Sequence, residues 1–412
     1  MNITIITSSL PYPLRSGGAQ AQYNFIDQLR KLHHIAVIFP INGKNRTDAL
    51  SHLQIIWPEV TFHPYSYLRQ LSHRAFLVDK VIRALKLKIC PDNERFKVER
   101  ALKPYGYYFT KDFISFVNNV IDNHHSDIVQ VDFYPYQHII NFLPSKVRKI
   151  FVQHEIRYVR NQRLLADLTL TESEQAYSDQ IRKMEIDDLN AYDQIIALTQ
   201  TDKDAMVHDG VLTPIYVSPA AVNTPILPYR EWNGTLTFVG GYSHIPNQEG
   251  IEWFAEKVLP NIDCSKIKAI NIVGSGWPLK YHTLHPKIHF LGFVERLQDV
   301  LQGSIVFVPI LTGSGMRMKI LDAAATGTPI VTTTVGVEGL HFQHGESCLV
   351  ADTPDGFAAA INKLTTSSIT MKMLAANAQA VFTQEYSVVA LAKIRNSIYT
   401  DITKLSSKKT SA

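Results

Sequence analysis

The chain has 412 residues, 45% of them apolar and 19% charged, with a formal net charge of +4. That length accommodates two domains with a core each, and the composition excludes a fibrous or disordered chain. The longest apolar runs, such as SIVFVPIL, are too short to span a membrane, and three scattered cysteines (Cys90, Cys264, Cys348) argue against a disulfide framework or a zinc site.

In chain order, NITIIT reads as a first strand and lacks the basic start of a signal peptide, so a cytoplasmic protein is expected. The loop SSLPYPLRSGGAQ leads into a helix with Phe25, Leu29 and Leu32 on one stripe, and HIAVIFP is the next strand, completing a βαβ unit. Residues 41 to 126 fit this alternation poorly and read as mostly helical, aromatic and basic. Within them, Arg69 to Lys103 hold ten Lys/Arg against four Asp/Glu, a local +6, so the remainder sums to −2. An amphipathic helix there, HRAFLVDKVIRALKLK, is read first as one that packs on the core. The alternative is peripheral contact with an anionic membrane. No recognition motif accompanies the charge, so nucleic acid is not an expected partner.

DIVQVDF, KIFVQHE, QIIALT and PIYVSP follow as strands with helical patterns between the later ones. A boundary is expected near AAVNTPILPYREWNG, after which the alternation restarts. TLTFVGG, AINIVG, IHFLGFV, IVFVPI and PIVTTT read as strands, with helices NQEGIEWFAEKVLP, RLQDVLQ and MRMKILDAAAT among them. The expected fold class is α/β, two doubly wound Rossmann-like domains facing an interdomain cleft. The expected boundaries are 1–220, 221–385, a C-terminal helix over 386–405 packing back on the first domain, and a disordered tail, 406–412.

The densest chemistry lies in LTGSGMRMKILDAAATGTPIVTT, Leu311 to Thr333. Gly313 and Gly315 permit positive φ after a strand, and the helix expected from Met316 points unpaired N–H groups back at the loop. With the helix dipole, this makes an anion site. Arg317 and Lys319 add cations where a helix by itself disfavours them. Asp322 shares a helix face with Lys319 and suits sugar hydroxyls. The pattern implies a nucleotide diphosphate with its ribose near Asp322; on spacing alone, a solvated Lys/Asp pair after an ordinary turn reads equally well.

GSGMRMKILDAAATGTPIV resembles the donor-binding segment of family 4 glycosyltransferases, retaining enzymes of the GT-B fold. LPYPLRSGGAQ is similar to that family's first glycine loop, and TFVGGYSHIPNQEGIEWFAEKVLP, INIVGSG and IHFLGFVERLQDVL recur in the family's order. The resemblance implies that Arg317 and Lys319 hold the donor diphosphate and that Asp322 takes the ribose hydroxyls, where the family usually has Glu. Backbone at Phe293 and Val294 would meet the base, and Gly17 and Gly18 would let the first loop approach the diphosphate from across the cleft. Two positions depart from the pattern: Ser314 stands where the first Glu of the family's paired-Glu motif falls, so N–H groups of Gly315 and Met316 are expected to replace its sugar contact, and Gly241 stands where Arg or Lys is common.

His154 closes the strand KIFVQHE, at the end that faces the ligand crevice of such sheets. The family often has His in a comparable place near the transferred sugar; a packed polar residue at a strand end is the equal alternative. Arg157 and Arg160 could meet an anionic acceptor or simply be solvated. His341, His344 and Glu346 in HFQHGESC are read as exposed rather than metal-binding, and neither a metal nor a cofactor is expected.

The resulting expectation is a retaining transferase that moves a sugar from a nucleotide-diphosphate donor to a glycan or lipid-linked acceptor in surface polysaccharide or glycoconjugate synthesis. His154, Arg317 and Lys319 would be its catalytic residues. A nucleotide-sugar 2-epimerase of the same fold and a non-catalytic nucleotide-sugar-binding protein are the alternatives.

Overall fold

The computed structural model describes residues 1–14, 17–41, 44–66, 98, 101–103, 109–222, 224–313 and 315–409. Ser314 and nearly all of the basic stretch 69–103 lie outside the described residues. The described residues fold into two compact units: those within 1–13, 26–218 and 396–412 make the first, and those within 14–25 and 219–395 make the second.

The first unit holds strands β1 (Asn2–Thr7), β2 (His34–Pro40), β3 (Thr61–Tyr65), β4 (Ile128–Asp132), β5 (Arg148–Gln153), β6 (Gln194–Ala197) and β7 (Ile215–Val217). They form one sheet in the order β3-β2-β1-β4-β5-β6-β7, and each pairing is parallel. Every residue of β4 and β6 is buried, as helices on both sides of a parallel sheet require. The core gathers Ile6, Ile38, Val129, Val131, Phe151 and Ile195 against Phe113, Val117 and Ile121 of helix Lys111–Asn123. β3 lies within the stretch that the sequence reads as mostly helical. It is an edge strand, TFHPY, half-exposed and carrying Pro64, which an edge tolerates and an apolar periodicity does not reveal.

The second unit repeats the plan with β8 (Thr235–Val239), β9 (Ala269–Val273), β10 (Ile288–Gly292), β11 (Ser304–Val308), β12 (Ile330–Thr332) and β13 (Leu349–Val350), in the order β10-β9-β8-β11-β12-β13, again parallel. β8 pairs on one side with β9 and on the other with β11, so the strand order reverses there, and the loops leaving β8 and β11 share the ligand-binding edge of the sheet.

The grouping of segments differs from the boundaries expected at 220/221 and 385/386. Residues 14–25 belong with the second unit because their side chains are satisfied there: Asn24 Nδ2 donates to the Ala221 carbonyl at 2.7 Å, and the Arg395 guanidinium lies 4.2 Å from the Phe25 ring centroid. The last helix spans Val388–Lys409, so 406–409, expected to be disordered, continue it, while 410–412 lie outside the described residues. From Asn396 onward that helix groups with the first unit, burying Ile398, Tyr399 and Ile402. Among the described residues no helix is long and apolar enough to cross a membrane.

Candidate active site

The loop leaving β11 carries Gly313 at φ 106° and Gly315 at φ 81°. A side chain at Gly313 would also press on Pro246 Cγ, 3.2 Å from its Cβ position. Thr312 Oγ1 donates to Glu249 Oε2 at 2.6 Å, fixing this loop to helix Ile245–Trp253. The next helix runs Met318–Ala325, two residues later than expected, because the left-handed turn at Gly315 keeps Met316 and Arg317 out of helical geometry. Arg317 occupies the cap position, is 7% exposed, and donates from Nη1 to the Gly315 carbonyl.

Lys319 is half-buried in the first turn. Its Nζ donates to Asn247 Oδ1 at 2.8 Å and sits 4.1 Å from the Phe238 ring centroid. Burial and, after it, the positive charge of Arg317 push the Lys319 ammonium well below its ordinary range. Asn247 is held in turn by donating Nδ2 to the Gly241 carbonyl at 2.8 Å. A Cβ on Gly240 would stand 2.5 Å from that Nδ2, so the glycine after β8 is what admits Asn247. Sequence reasoning missed Asn247; the signal available was an amide in the first turn of a helix after a strand and a glycine pair.

Asp322 is 2% exposed, and its Oδ1 accepts from Gln20 Nε2 at 3.0 Å and Thr224 Oγ1 at 2.5 Å. Gly17 lies beside the same helix: its Cβ position is 3.2 Å from Met318 Cγ. The first glycine loop and the cationic loop are therefore neighbours within one unit, not approaching from separate domains as the boundaries had it; Gly18 is the next residue of the helix Gly17–Leu29. Burial pushes the Asp322 carboxyl up to about 6, against the pull of the Thr224 and Gln20 bonds. A carboxyl with a raised folded pKa supports folding most when both states are protonated, and loses that contribution as pH rises from about 4 towards the folded value. Raising pH from 4 to 7 is therefore expected to cost the wild type more stability than Asp322→Asn, measured by urea unfolding at both pH values.

Phe293 and Val294 follow the end of β10, Phe293 45% exposed and Val294 half-buried. Strands β9 and β8 lie between β10 and β11, so these two residues sit further along the same sheet edge from Arg317.

In the first unit, β5 ends at Gln153 and His154 is the first residue beyond it. Its side chain is 9% exposed, its ring stacks on Phe133 at 4.1 Å between centroids, and its Nε2 is 3.7 Å from Asp132 Oδ1. Glu155 pairs with Arg160 at 2.8 Å. Arg157 is not solvated: it is 3% exposed, lies over the Tyr134 ring, and donates to the Lys103 carbonyl. The helix that starts here, Arg157–Leu165, has no side-chain cap of its own. Its first N–H groups, at Arg157 and Tyr158, instead donate to the two carboxylate oxygens of Glu185, each at 3.0 Å, from the neighbouring helix Glu172–Asn190. Burial pushes the Glu185 carboxyl up to about 7, while the Arg157 backbone bond pulls the other way. Glu185→Ala strands two buried donors and is expected to cost about 2–4 kcal/mol, seen as a lower midpoint in denaturant at pH 8.

His341 Nδ1 pairs with Glu385, and His344 Nδ1 accepts from the Val350 N–H at 2.9 Å. Among the described residues no three His, Cys, Asp or Glu side chains gather as a metal site.

These two units have solved counterparts over nearly their whole length. A mutant of S. aureus TarM in complex with fondaparinux, alpha-GlcNAc-glycerol and UDP superposes with a TM-score of 0.68 at 9% identity, over 98% of this chain and 100% of that one. Anabaena HepE in complex with UDP gives 0.67 at 14% identity, over 97% and 100%. Sucrose-phosphate synthase of Thermosynechococcus elongatus gives 0.68 at 12%, over 97% and 98%. The chain therefore has the GT-B fold of glycosyltransferases. Residues 233–367, which include Arg317 and Lys319, match the family model described as Glycosyl transferases group 1. The chain is also 28% identical over 167 residues to an uncharacterized 44.6 kDa protein in the cps region of Klebsiella pneumoniae. That stretch is 37% of this chain and 43% of that relative, less than half of either.

Proposed function

We propose that the protein is a retaining glycosyltransferase that takes a sugar from a nucleotide-diphosphate donor and places it on a hydroxyl of a glycan or lipid-linked acceptor. The observation that carries this reading is two cations at one helix start, Arg317 at the cap and Lys319 in the first turn of Met318–Ala325, with Lys319 depressed by burial and by Arg317. A bound diphosphate would offset that cost, because its negative charge favours the charged form of Lys319 and complements the charge of Arg317. Leaving-group departure concentrates negative charge on the diphosphate oxygen. Arg317, Lys319 and the N–H groups of Gly315 and Met316 would stabilise that charge in a preorganised setting, with no metal called for. Asp322 is assigned to the ribose, Phe293 and Val294 to the base, and His154 to a sugar hydroxyl. UDP in the TarM and HepE complexes supports a nucleoside diphosphate as ligand, and the cps-region relative supports a role in surface polysaccharide synthesis.

A panel of UDP-, GDP-, ADP- and dTDP-sugars, scored for nucleoside diphosphate release with and without acceptor glycans, tests the reading. Release that requires acceptor supports it, and a product of the donor's own anomeric configuration supports retention. Interconversion of sugars without release would replace it with the epimerase, and binding with neither outcome would leave a nucleotide-sugar-binding protein.

A further inference from the structure

We propose that Tyr399, Gln130 and Asp132 form a hydrogen-bonded line that sets the tautomer and orientation of His154. The inference rests on the transferase reading only in giving His154 a sugar hydroxyl to bind; the line itself lies within the first unit.

The four residues come from distant parts of the chain: Tyr399 from the terminal helix Val388–Lys409, Gln130 and Asp132 from β4, His154 from the end of β5. Tyr399 and Gln130 are fully buried and Asp132 is 1% exposed. The Tyr399 hydroxyl donates to Gln130 Oε1, and Gln130 Nε2 donates to Asp132 Oδ1 at 3.0 Å. That same Oδ1 is the atom 3.7 Å from His154 Nε2. Alternation along β4 places Gln130 and Asp132 on one face of the sheet, which makes the line continuous.

Its direction is dictated by chemistry. An ionised carboxylate only accepts, whereas a carboxamide has one accepting and one donating end. Asp132 therefore draws the NH2 of Gln130, the amide carbonyl turns to Tyr399, and the phenol must donate. Turning the amide over would set carbonyl against carboxylate where no water can intervene. Tyr399 thus holds Gln130, and Gln130 holds Asp132 beside the imidazole. At 3.7 Å the carboxylate acts on His154 through its charge, not a formed hydrogen bond, and it favours the proton on Nε2. Nδ1 is left as an acceptor.

The other side of the imidazole is fixed at the cost of backbone strain. Phe133 has φ 69° and ψ 138°, a conformation a bulky residue adopts only when its surroundings impose it, and its ring lies against the imidazole face with 23° between planes. Neither ring nitrogen of His154 has a hydrogen-bond partner among the described residues, although both are buried. A clamped, buried imidazole with no partner of its own is matched by a ligand hydroxyl donating to Nδ1.

The test is the ring 15N spectrum of His154 in histidine-labelled protein at a pH where the ring is neutral. Wild type is expected to show one dominant tautomer with the proton on Nε2. Tyr399→Phe and Gln130→Met are expected at least to double the minor tautomer. Tyr386→Phe, which removes a phenol oxygen bonded to the His341 N–H in the second unit, should leave the His154 signals unchanged. A wild-type proton on Nδ1, or wild-type signals in Tyr399→Phe and Gln130→Met that melt as folded proteins, would overturn the proposal. If Tyr399→Phe does not fold, Gln130→Met and Asp132→Asn decide it. The spectrum needs no substrate, so its result stands apart from whether transferase activity is found.

Discussion

The double substitution Arg317→Ala/Lys319→Ala is expected to weaken binding of a nucleoside diphosphate by roughly 100-fold or more. Each side chain would make a charge-assisted bond worth about 1.5–3 kcal/mol, so losing both removes about 3–6 kcal/mol. Fold stability should change in the opposite sense to affinity, or hardly at all. Lys319 is held below its ordinary proton affinity by burial and by Arg317, so the empty protein bears a cost at this pair that the ligand relieves. Calorimetric titration with UDP, GDP, ADP and dTDP, alongside thermal unfolding without ligand, measures both. Equal affinities for wild type and variant would remove the diphosphate assignment. The single variant Lys319→Met separates the roles: it keeps the packing against Phe238, discards the bond to Asn247, and should lose about half of the binding free energy lost by the double variant.

Gly274→Ala is expected to cost roughly 4 kcal/mol and to disable the same site. Gly274 follows β9 at φ 141°, and its Cβ position is 2.4 Å from the Gly240 carbonyl oxygen and 2.6 Å from the Gly241 N. Both clashes are with backbone, which cannot swing aside as a side chain can. The displaced chain is the turn after β8 whose Gly241 carbonyl holds Asn247, and Asn247 holds Lys319. Gly274 is also tied across the sheet edge, donating to the Gly292 carbonyl at 2.7 Å, so the loop has little freedom to yield. Gly210→Ala is the control: its φ is 101°, but nothing lies within 4 Å of the added carbon. That variant bears only the left-handed backbone cost, about 1–2 kcal/mol. Comparable losses in the two variants, by denaturant unfolding, would mean that steric contact with the β8 turn is not what Gly274 avoids.

Much of the architecture follows from local pattern. Runs such as NITIIT, DIVQVDF, TLTFVGG and SIVFVPIL are apolar and β-branched along their length because both faces of a parallel sheet are covered, and they became β1, β4, β8 and β11. β3 and β13 escaped notice for the converse reason. One is a half-exposed edge, the other only two residues long, and neither carries the repeated apolar signal that a buried strand must. The cations Arg317 and Lys319 were legible because charge at a helix start conflicts with the helix's own preference. Their partners were not. Asn247 meets Lys319 across 72 positions, Gln20 meets Asp322 across 302, and Tyr399 meets Gln130 across 269.

By itself, then, the chain's sequence determined two parallel α/β sheets, the glycine loop and the cations beside it, since strand burial, positive-φ turns and helix-end charge are local properties written in neighbouring residues. Only the tertiary structure decided that residues 14–25 complete the second unit, that Asp322 is buried under Gln20 and Thr224, and that His154 is flanked by Asp132 and a strained Phe133. Those are choices of partner among polar groups, and a polar group's partner is settled by which donors and acceptors the packed core brings within about 3 Å of it, a distance no spacing along the chain encodes.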